Sequence, residues 1–454
     1  MTPERRPVFH DPSGRRMRWT LRVVVAIGAA FLALAIVFLV SLVAVPVLPR
    51  TLGISEPIRR ALRPHLPTPP PPHEVRLRSL MLQRDRRRLL EQLAKDRAVE
   101  RQTKNTPAPG SPIVGAFYAT WQETGLHSLR ANAGRITHLF PLWLRLADDP
   151  AHLDARDWNP VYTPHNLDVL RIVRQHGLKV MPVLSNAHDG RFDPVLAHRL
   201  LIDTAAQDTL ARELGDWLAS HGFAGVNLDL ENLAHEDLPR VPLFVARLHR
   251  TLAPRGLEVS FDLEAEGEVP DAGAIARACD FIILMAYDQH YMAGDAGPLA
   301  SIPWTRDLLD RTLAAVPPHK LVLGLGNYAY DWTEGRAPAD PISYQEALYL
   351  AADEHPEQPA NEVVDFDSTA FNPTFHYEDE LGRDHEVWML DAVTAANQRT
   401  IALSHGVRGS ALWVLGTEDP SVWSFLDREH PETRPDSLAL AHTSFPYDVE
   451  FQGD

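Results

Sequence analysis

Three polar residues occupy alternate positions in the otherwise apolar stretch GFAGVNLDLEN, which runs from residue 222 to residue 232. They are Asn227, Asp229 and Glu231. Alternate side chains of a strand point to the same face, so these three would share one face and the apolar residues between them the other. Two carboxyl groups side by side on an inward face repel each other, which raises the pKa of one of them, as a general acid requires. A buried polar network that only stabilises the strand is the structural alternative.

Eight short apolar or β-branched runs follow residue 111 and alternate with segments of helical composition. The runs are IVGAFYATW (113–121), ITHLFPLWL (136–144), KVMPVLS (179–185), GVNLDLE (225–231), LEVSFDLEA (257–265), FIILMAYD (281–288), KLVLGLGNY (320–328) and GSALWVLG (409–416). Several helical segments between them end at a glycine, which is a common helix stop. This alternation predicts an α/β fold with a (β/α)8 TIM barrel over residues 111–430. Glu231 would then lie nearest the C-terminal mouth, where barrel enzymes carry out their chemistry.

The stretch from 329 to 405 is too long for a single connection between two barrel strands. It contains a helical segment near residues 344–353 and two strand-like segments, NPTFHYED and HEVWML. The sequence therefore predicts a small α+β insertion between strands 7 and 8.

The N-terminal region differs in composition from the rest of the chain. Residues 1–22 form a basic tail with six arginines, and residues 23–49 contain no charged residue. An uncharged run of this length can cross a bilayer and exceeds the apolar region of a cleaved signal peptide. Because basic residues stay on the cytoplasmic side, we predict a single-pass signal anchor in the inner (cytoplasmic) membrane. The N-terminus would be cytoplasmic and the barrel periplasmic or extracellular.

Residues 50–110 are predicted to form a Pro-rich and helical linker between the span and the barrel. The segment PTPPPPH is a stiff spacer, and residues 75–103 have the composition of a helix. That helix is either a solvated stalk or a helix lying on anionic lipid head groups.

Charge divides the chain and argues against some classes of partner. Residues 1–104 hold 20 Lys+Arg against 8 Asp+Glu, and the remaining 350 residues hold 24 against 52, a balance of −28. A domain this acidic is a poor binder of nucleic acid. The single cysteine, Cys279, excludes an internal disulfide.

The stretch GFAGVNLDLEN resembles the fourth-strand signature of glycoside hydrolase family 18, DGxDxDxE. It is most similar to the germination and spore-cortex branch, in which this strand reads G-V-N-x-D-x-E. Asp229 and Glu231 match the last two acidic positions, whereas Ala224 and Asn227 depart from the first two aspartates. The departure bears on chitinase-type substrate preference more than on catalysis.

Other segments resemble the remaining strands of the family in the same order. They are AFYATW (116–121) for the first strand, LMAYD (284–288) for the sixth-strand MxYD motif, GLGNYAYDW (324–332) for the seventh, ALWVLGTED (411–419) for the eighth, and FNPTFHYEDELGRDHEVWMLDA (371–392) for the insertion of the germination-type branch. The resemblance spans about residues 113–426.

The resemblance implies roles for individual residues. Glu231 would protonate the leaving oxygen and later activate water, while Asp229 and Tyr287 would position the substrate's own acetamide, whose oxygen attacks the anomeric carbon. The implied substrate-binding residues are Asn227, Met285, Asp288, Trp413, Phe117 and Trp121. Core packing remains an alternative for the last three. Asp262 and Glu264, which share a strand face, are assigned a supporting or structural role.

The resemblance implies a membrane-anchored hydrolase of β-1,4-linked glycan that contains N-acetylglucosamine. Peptidoglycan, chitin oligomers and an exported poly-N-acetylglucosamine are the candidate substrates. The alternative is a catalytically silent glycan-binding barrel that guides an exported polysaccharide.

Neither a cofactor nor a metal ion is expected. The sequence contains no HExxH, CxxC or GxGxxG motif, and His188, His235 and His290 lack the spacing of metal ligands.

Residues 431–454 are predicted to be a C-terminal extension that begins a further region. Similar anchored barrels precede polysaccharide deacetylase and glycosyltransferase domains in longer bacterial proteins, and this chain could be part of such a protein.

Overall fold

A computed structural model describes residues 111–188, 190–354 and 363–433. The predicted basic tail, transmembrane span and linker lie outside the described residues, as does most of the predicted C-terminal extension. Among the described residues, no helix combines the length and the apolar composition needed to cross a membrane.

The described ranges alternate between short strands and helices. The strands are β1 (Ile113–Tyr118), β2 (His138–Pro141), β3 (Leu144–Leu146), β4 (Leu153–Asp154), β5 (Lys179–Val180), β6 (Val183–Ser185), β7 (Ala187–His188), β8 (Arg191–Phe192), β9 (Gly225–Asp229), β10 (Glu258–Leu263), β11 (Phe281–Met285), β12 (Leu321–Gly326), β13 (Ala329–Thr333), β14 (Asp340–Ile342), β15 (Asp365–Phe366), β16 (Pro373–Glu378), β17 (Asp384–Met389) and β18 (Gly409–Trp413). The α-helices are α1 (Gly125–Asn132), α2 (Asn166–His176), α3 (Pro194–Ile202), α4 (Thr204–His221), α5 (Val241–Leu252), α6 (Ala272–Ala278), α7 (Ile302–Leu313), α8 (Tyr344–Glu354) and α9 (Ala392–Ser404).

Eight parallel strand segments close into a ring. Their order around the ring is β1, β2–β3, β5–β6, β9, β10, β11, β12 and β18, and β18 pairs with β1 to complete it. Because β2 pairs with β5 while β3 pairs with β6, each of these two segments is one barrel strand with a short break. The predicted barrel is confirmed.

The two breaks fall where the sequence predicted continuous strands. Between β5 and β6, Pro182 has no N–H to donate to the ladder. Its carbonyl still accepts a hydrogen bond from the backbone N–H of Asn227 at 3.0 Å, which keeps β9 attached. Between β2 and β3, the backbone N–H of Trp143 donates a hydrogen bond to the carbonyl of Pro141 at 2.9 Å, which forms a tight turn instead of continuing the strand.

Two hydrophobic layers fix the orientation of β9. The outer layer lies between strands and helices and includes Val226 and Leu228, whereas Phe140, Phe281 and other residues fill the interior of the barrel. Since alternate residues of a strand point in opposite directions, Asn227 and Asp229 face inward. The predicted orientation of the polar face is thus the observed one.

Gly225 sets the register of β9 against β10. A Cβ atom at this position would lie 2.0 Å from the carbonyl oxygen of Glu258, so only glycine permits this approach. The register pairs Gly225 with Glu258 and Asn227 with Ser260. The close approach therefore determines which β10 side chains stand beside the polar residues of β9.

A second sheet lies in the chain between the seventh and eighth barrel strands. It is antiparallel, with the order β14-β13-β17-β16-β15, and α8 packs on β16 and β17. Aromatic residues of this insertion, Tyr328, Tyr330, Trp332 and Trp388, form one hydrophobic cluster with Tyr287 and Trp413 at the barrel mouth. The following helix, α9, packs against β12 and β18 as a barrel helix.

Candidate active site

The polar residues of the fourth barrel strand lie at its C-terminal end. Asn227 and Asp229 are buried inside the barrel, and Asp229 is the last residue of β9. The predicted strand continued to Glu231, but the observed strand ends two residues earlier. Glu231 is partly exposed in the connection that follows, so it borders the open mouth rather than the packed interior.

A side chain that the sequence did not single out holds the backbone of Glu231. The backbone N–H of Glu231 donates to Asn186 Oδ1 at 3.1 Å, and Asn186 Nδ2 donates to the Glu231 carbonyl at 3.0 Å. Asn186 is fully buried and follows β6 directly. The sequence signal that could have identified Asn186 is its position, as a polar residue directly after an apolar strand.

A row of hydrogen bonds crosses from β9 to β10 below the mouth. Ser260 Oγ donates to Asn227 Oδ1 at 2.6 Å, and Asn227 Nδ2 donates to Asp262 Oδ2 at 2.5 Å. The other carboxyl oxygen of Asp262 and one oxygen of Asp229 are buried and accept no hydrogen bond from the described residues.

Burial and crowding of carboxyl groups favour their protonated forms. Although Glu231 is partly exposed, the surrounding protein atoms shield its carboxyl group from water, and this burial, followed by the charges of Asp229 and Glu264, raises its pKa above the ordinary value. Burial also raises the pKa of Asp229, although a hydrogen bond with Glu231 works in the opposite direction. Because two ionised carboxylates cannot share a hydrogen bond, Glu231 is the protonated donor and Asp229 the acceptor.

Two more acidic residues, Asp262 on β10 and Glu264 directly after it, add to the crowding of carboxyl groups at the mouth. Burial, together with the charge of Asp229, raises the pKa of Asp262 well above the usual range. The same two causes raise the pKa of Glu264 to about 7. The mouth therefore keeps neutral carboxyl groups at a pH where isolated ones would be ionised.

Aromatic residues also lie at the mouth, and one of them, Tyr287, is close to both Asp229 and Glu231. The rings of Tyr287 and Trp413 are nearly parallel, with centroids 6.4 Å apart. Phe117 meets the Trp413 ring edge-on at 5.3 Å but is buried in the barrel interior. Met285 packs in the cluster that contains Tyr287 and Trp413. The four side chains are thus close to one another, and Trp413 and Met285 are the two that remain partly exposed.

The remaining two predicted substrate-binding residues have different surroundings. The Asp288 carboxylate accepts hydrogen bonds from the hydroxyl groups of Tyr328 and Tyr330, the latter at 3.0 Å. Trp121 follows β1 by three residues and is 62% exposed, outside the aromatic cluster at the mouth.

The histidines named above serve local contacts. His188 hydrogen-bonds the Leu146 carbonyl, His235 forms a 3.2 Å ion pair with Glu268, and His290 contacts the Asp295 carbonyl. In the described part of the chain, no three His, Cys, Asp or Glu side chains are grouped in a way that could hold a metal ion.

The arrangement can perform acid–base chemistry next to a flat apolar surface. A protonated carboxyl group at the open edge can donate a proton to a bound molecule and take one back from water. The neighbouring Asp229 carboxylate and the Tyr287 hydroxyl can hydrogen-bond a polar substituent, and Trp413 can stack on a sugar ring.

Comparison with known proteins identifies the family of this arrangement. The family model described as glycosyl hydrolases family 18 matches residues 113–418. A cortical fragment-lytic enzyme of Bacillus subtilis (strain 168) is 28% identical over 268 residues, which are 56% of this chain and 61% of the relative. The corresponding enzyme of Bacillus anthracis is 26% identical over 308 residues, 65% of this chain and 69% of the relative. The chain thus spans about three fifths of the first relative's length.

Solved structures agree with this fold. The spore cortex-lytic enzyme SleL of Bacillus cereus superposes with a TM-score of 0.61 at 24% identity, covering 70% of this chain and 74% of that one. A chitinase of Chromobacterium violaceum superposes with the same score at 23% identity, covering 68% of this chain and 96% of that one.

Proposed function

This chain belongs to glycosyl hydrolase family 18, and we propose that it is a glycosidase that cleaves β-1,4-linked glycan containing N-acetylglucosamine. The observation that carries the proposal is the position of Asp229 and Glu231 at the end of β9, close to Tyr287, whose ring is parallel to that of Trp413. Burial raises the pKa of both carboxyl groups, and more strongly that of Glu231, which favours a protonated Glu231 next to an ionised Asp229. A neutral acid next to a carboxylate is the pair that substrate-assisted cleavage requires.

In the proposed reaction, the substrate supplies the nucleophile. Glu231 gives its proton to the glycosidic oxygen as the bond to the anomeric carbon breaks, and the acetamide oxygen of the same sugar bonds to that carbon. The acetamide N–H then points to the Asp229 carboxylate, which offsets the positive charge of the cyclised intermediate. Ionised Glu231 next takes a proton from water, whose oxygen attacks the anomeric carbon. The ring opens with retained configuration, and Glu231 is protonated again.

The candidate substrates are peptidoglycan, chitin oligomers and poly-N-acetylglucosamine. The names of the relatives support the first two, since they include cortical fragment-lytic enzymes and a di-N-acetylchitobiase of Mus musculus, which is 23% identical over 244 residues. The shared requirement is an N-acetylated sugar that can lie against Trp413.

We expect the full-length chain to release new reducing ends from at least one of these three glycans. Mass spectrometry of the products identifies the substrate and the cleaved linkage, and NMR at early times should show the β-anomer, because the configuration is retained. Heat-inactivated protein is the control. Binding of a glycan without any product would show that the barrel is a binding module.

We also propose that residues 23–49 anchor the chain in the inner membrane with the barrel on the outer side. The support is the uncharged run that follows six arginines. Protease added to intact spheroplasts is expected to digest the barrel while a cytoplasmic marker protein survives. Survival of both the barrel and the marker would refute this orientation.

A further inference from the structure

Asp262 stands beside Asp229 but takes no part in the reaction described above. The register of the two strands places Ser260 opposite Asn227, so the next inward residues along β10 and β9 are Asp262 and Asp229. Asp262 is 4% exposed and Asp229 is 8% exposed. Two acidic side chains are therefore neighbours inside the barrel.

The hydrogen bonds around Asn227 determine what Asp262 meets. Because Asn227 Oδ1 already accepts from the Ser260 hydroxyl, the amide presents its N–H to Asp262 Oδ2. The Oδ1 atom of Asp262 and the Oδ1 atom of Asp229 are both buried, and neither accepts a hydrogen bond from the described residues. The final torsion of an aspartate is broad, so the two carboxyl groups can rotate relative to each other.

Among the residues that the structure describes, no positive charge balances the pair. Within the described ranges, neither aspartate forms an ion pair, and the groups that influence them from the surrounding elements are acidic or phenolic. These groups are Glu231 after β9, Glu264 after β10 and Tyr287 after β11. Asp288, the residue after Tyr287, accepts hydrogen bonds from Tyr328 and Tyr330 and adds no positive charge. Two adjacent buried carboxyl groups without a cation cannot both remain ionised.

We propose that Asp262 is a positioning residue that keeps one proton on Oδ1 and donates it in a hydrogen bond to Asp229 Oδ1. The pair then carries a single negative charge, and that charge sits on Asp229. This inference rests on the proposed function. Asp229 is the anion because it also accepts the hydrogen bond of protonated Glu231. Burial, which raises the pKa of Asp262 well above its usual range, supports the same assignment.

The proton on Asp262 limits the negative charge at the site when Glu231 becomes ionised. After Glu231 has given its proton to the leaving oxygen, Asp229 and Glu231 are both negative, and a third charge on Asp262 would oppose that step. The chitinase pattern has an aspartate where this chain has Asn227, and here the amide of Asn227 instead holds an acidic group of the next strand. In this chain, the acidic neighbour of Asp229 is therefore Asp262 of β10 rather than a residue of β9.

The acidic limb of the kcat/KM pH profile tests this inference, because Asp229 must be ionised to receive the acetamide N–H. Asp262→Ala removes the hydrogen-bond donor of the Asp229 anion, so the midpoint of the limb is expected to rise by about one pH unit. Asp262→Asn offers an amide N–H in the same place and is expected to return the midpoint to the wild-type value. A fall of the midpoint in both variants would show that Asp262 is ionised, and no shift in either would show a purely structural role. Both results overturn the inference.

Glu264→Gln is the matched control for charge at the mouth. Since the pKa of Glu264 is about 7, this group is mainly neutral where the acidic limb lies, and its substitution should leave the midpoint in place.

A second measurement does not depend on turnover and separates the two proposals. Asp262 is neutral in the folded chain and ionised in the unfolded chain above about pH 4, so unfolding releases about one proton from it. Its folded pKa is raised, so its contribution to stability is lost as the pH rises toward that value. The wild-type melting temperature should therefore fall more steeply from pH 5 to pH 8 than that of Asp262→Asn. Equal slopes would overturn the assignment of the proton, whereas an inactive wild type with unequal slopes would overturn the proposed function alone.

Discussion

Replacing Glu231 with glutamine is expected to lower kcat by about 10²- to 10⁴-fold, the range in which a positioned general acid contributes. The amide keeps the shape of the side chain and can still donate a hydrogen bond to Asp229, but it has no proton to transfer to the leaving oxygen. Glycan binding should therefore stay close to the wild-type level. The measurement is release of reducing ends, with binding followed separately by calorimetry on the same glycan.

The variant should fold normally, because Glu231 is neutral in the wild type and glutamine is neutral as well. Melting temperatures near pH 6 check this expectation. Glu429→Gln makes the same chemical change at an exposed position remote from the mouth and should retain full activity. If Glu231→Gln and the wild type turned over substrate at equal, measurable rates, Glu231 could not be the acid.

The barrel could be predicted from the sequence because its strands are short apolar runs and several of the helices between them end at a glycine. The eight runs correspond to the eight barrel strands. Their boundaries were less predictable. Pro182, which has no N–H, was a sequence signal for the break between β5 and β6, whereas the turn at Trp143 is visible only from its hydrogen bond to Pro141.

The sequence predicted which site residues of one strand lie on the same face, but not which residues of different strands contact each other. The spacing of Asn227 and Asp229 predicted one inward face, and the structure has that face. The contact between Asn227 and Asp262 depends on the register of β9 and β10, which the close approach at Gly225 sets. Asn186 reaches Glu231 from 45 residues away, and no local pattern connects the two. The roles of the predicted site residues in catalysis remain predictions.

Cleavage should require an N-acetyl group on the sugar at the non-reducing side of the scissile bond. A de-acetylated sugar carries an amine instead of the acetamide, so it has no carbonyl oxygen to act as the nucleophile, and Asp229 and Tyr287 have no acetamide to position. We expect no detectable cleavage of fully de-acetylated oligomer. Chemical re-acetylation of the same preparation should restore the products, which controls for chain length and solubility.

A thiazoline analogue of the cyclised intermediate provides the companion measurement. It should bind more tightly than an intact oligomer, because the site is complementary to the intermediate rather than to the substrate. Asp229→Ala should weaken binding of the analogue more than binding of the oligomer, since the contact with the ring N–H forms only after cyclisation. Asp216→Ala, which changes an exposed aspartate paired with Arg255, should alter binding of neither the analogue nor the oligomer.

Cleavage of de-acetylated oligomer at a rate comparable to that of the acetylated one would mean that a protein side chain is the nucleophile. Asp229 would then have to be assigned a different role.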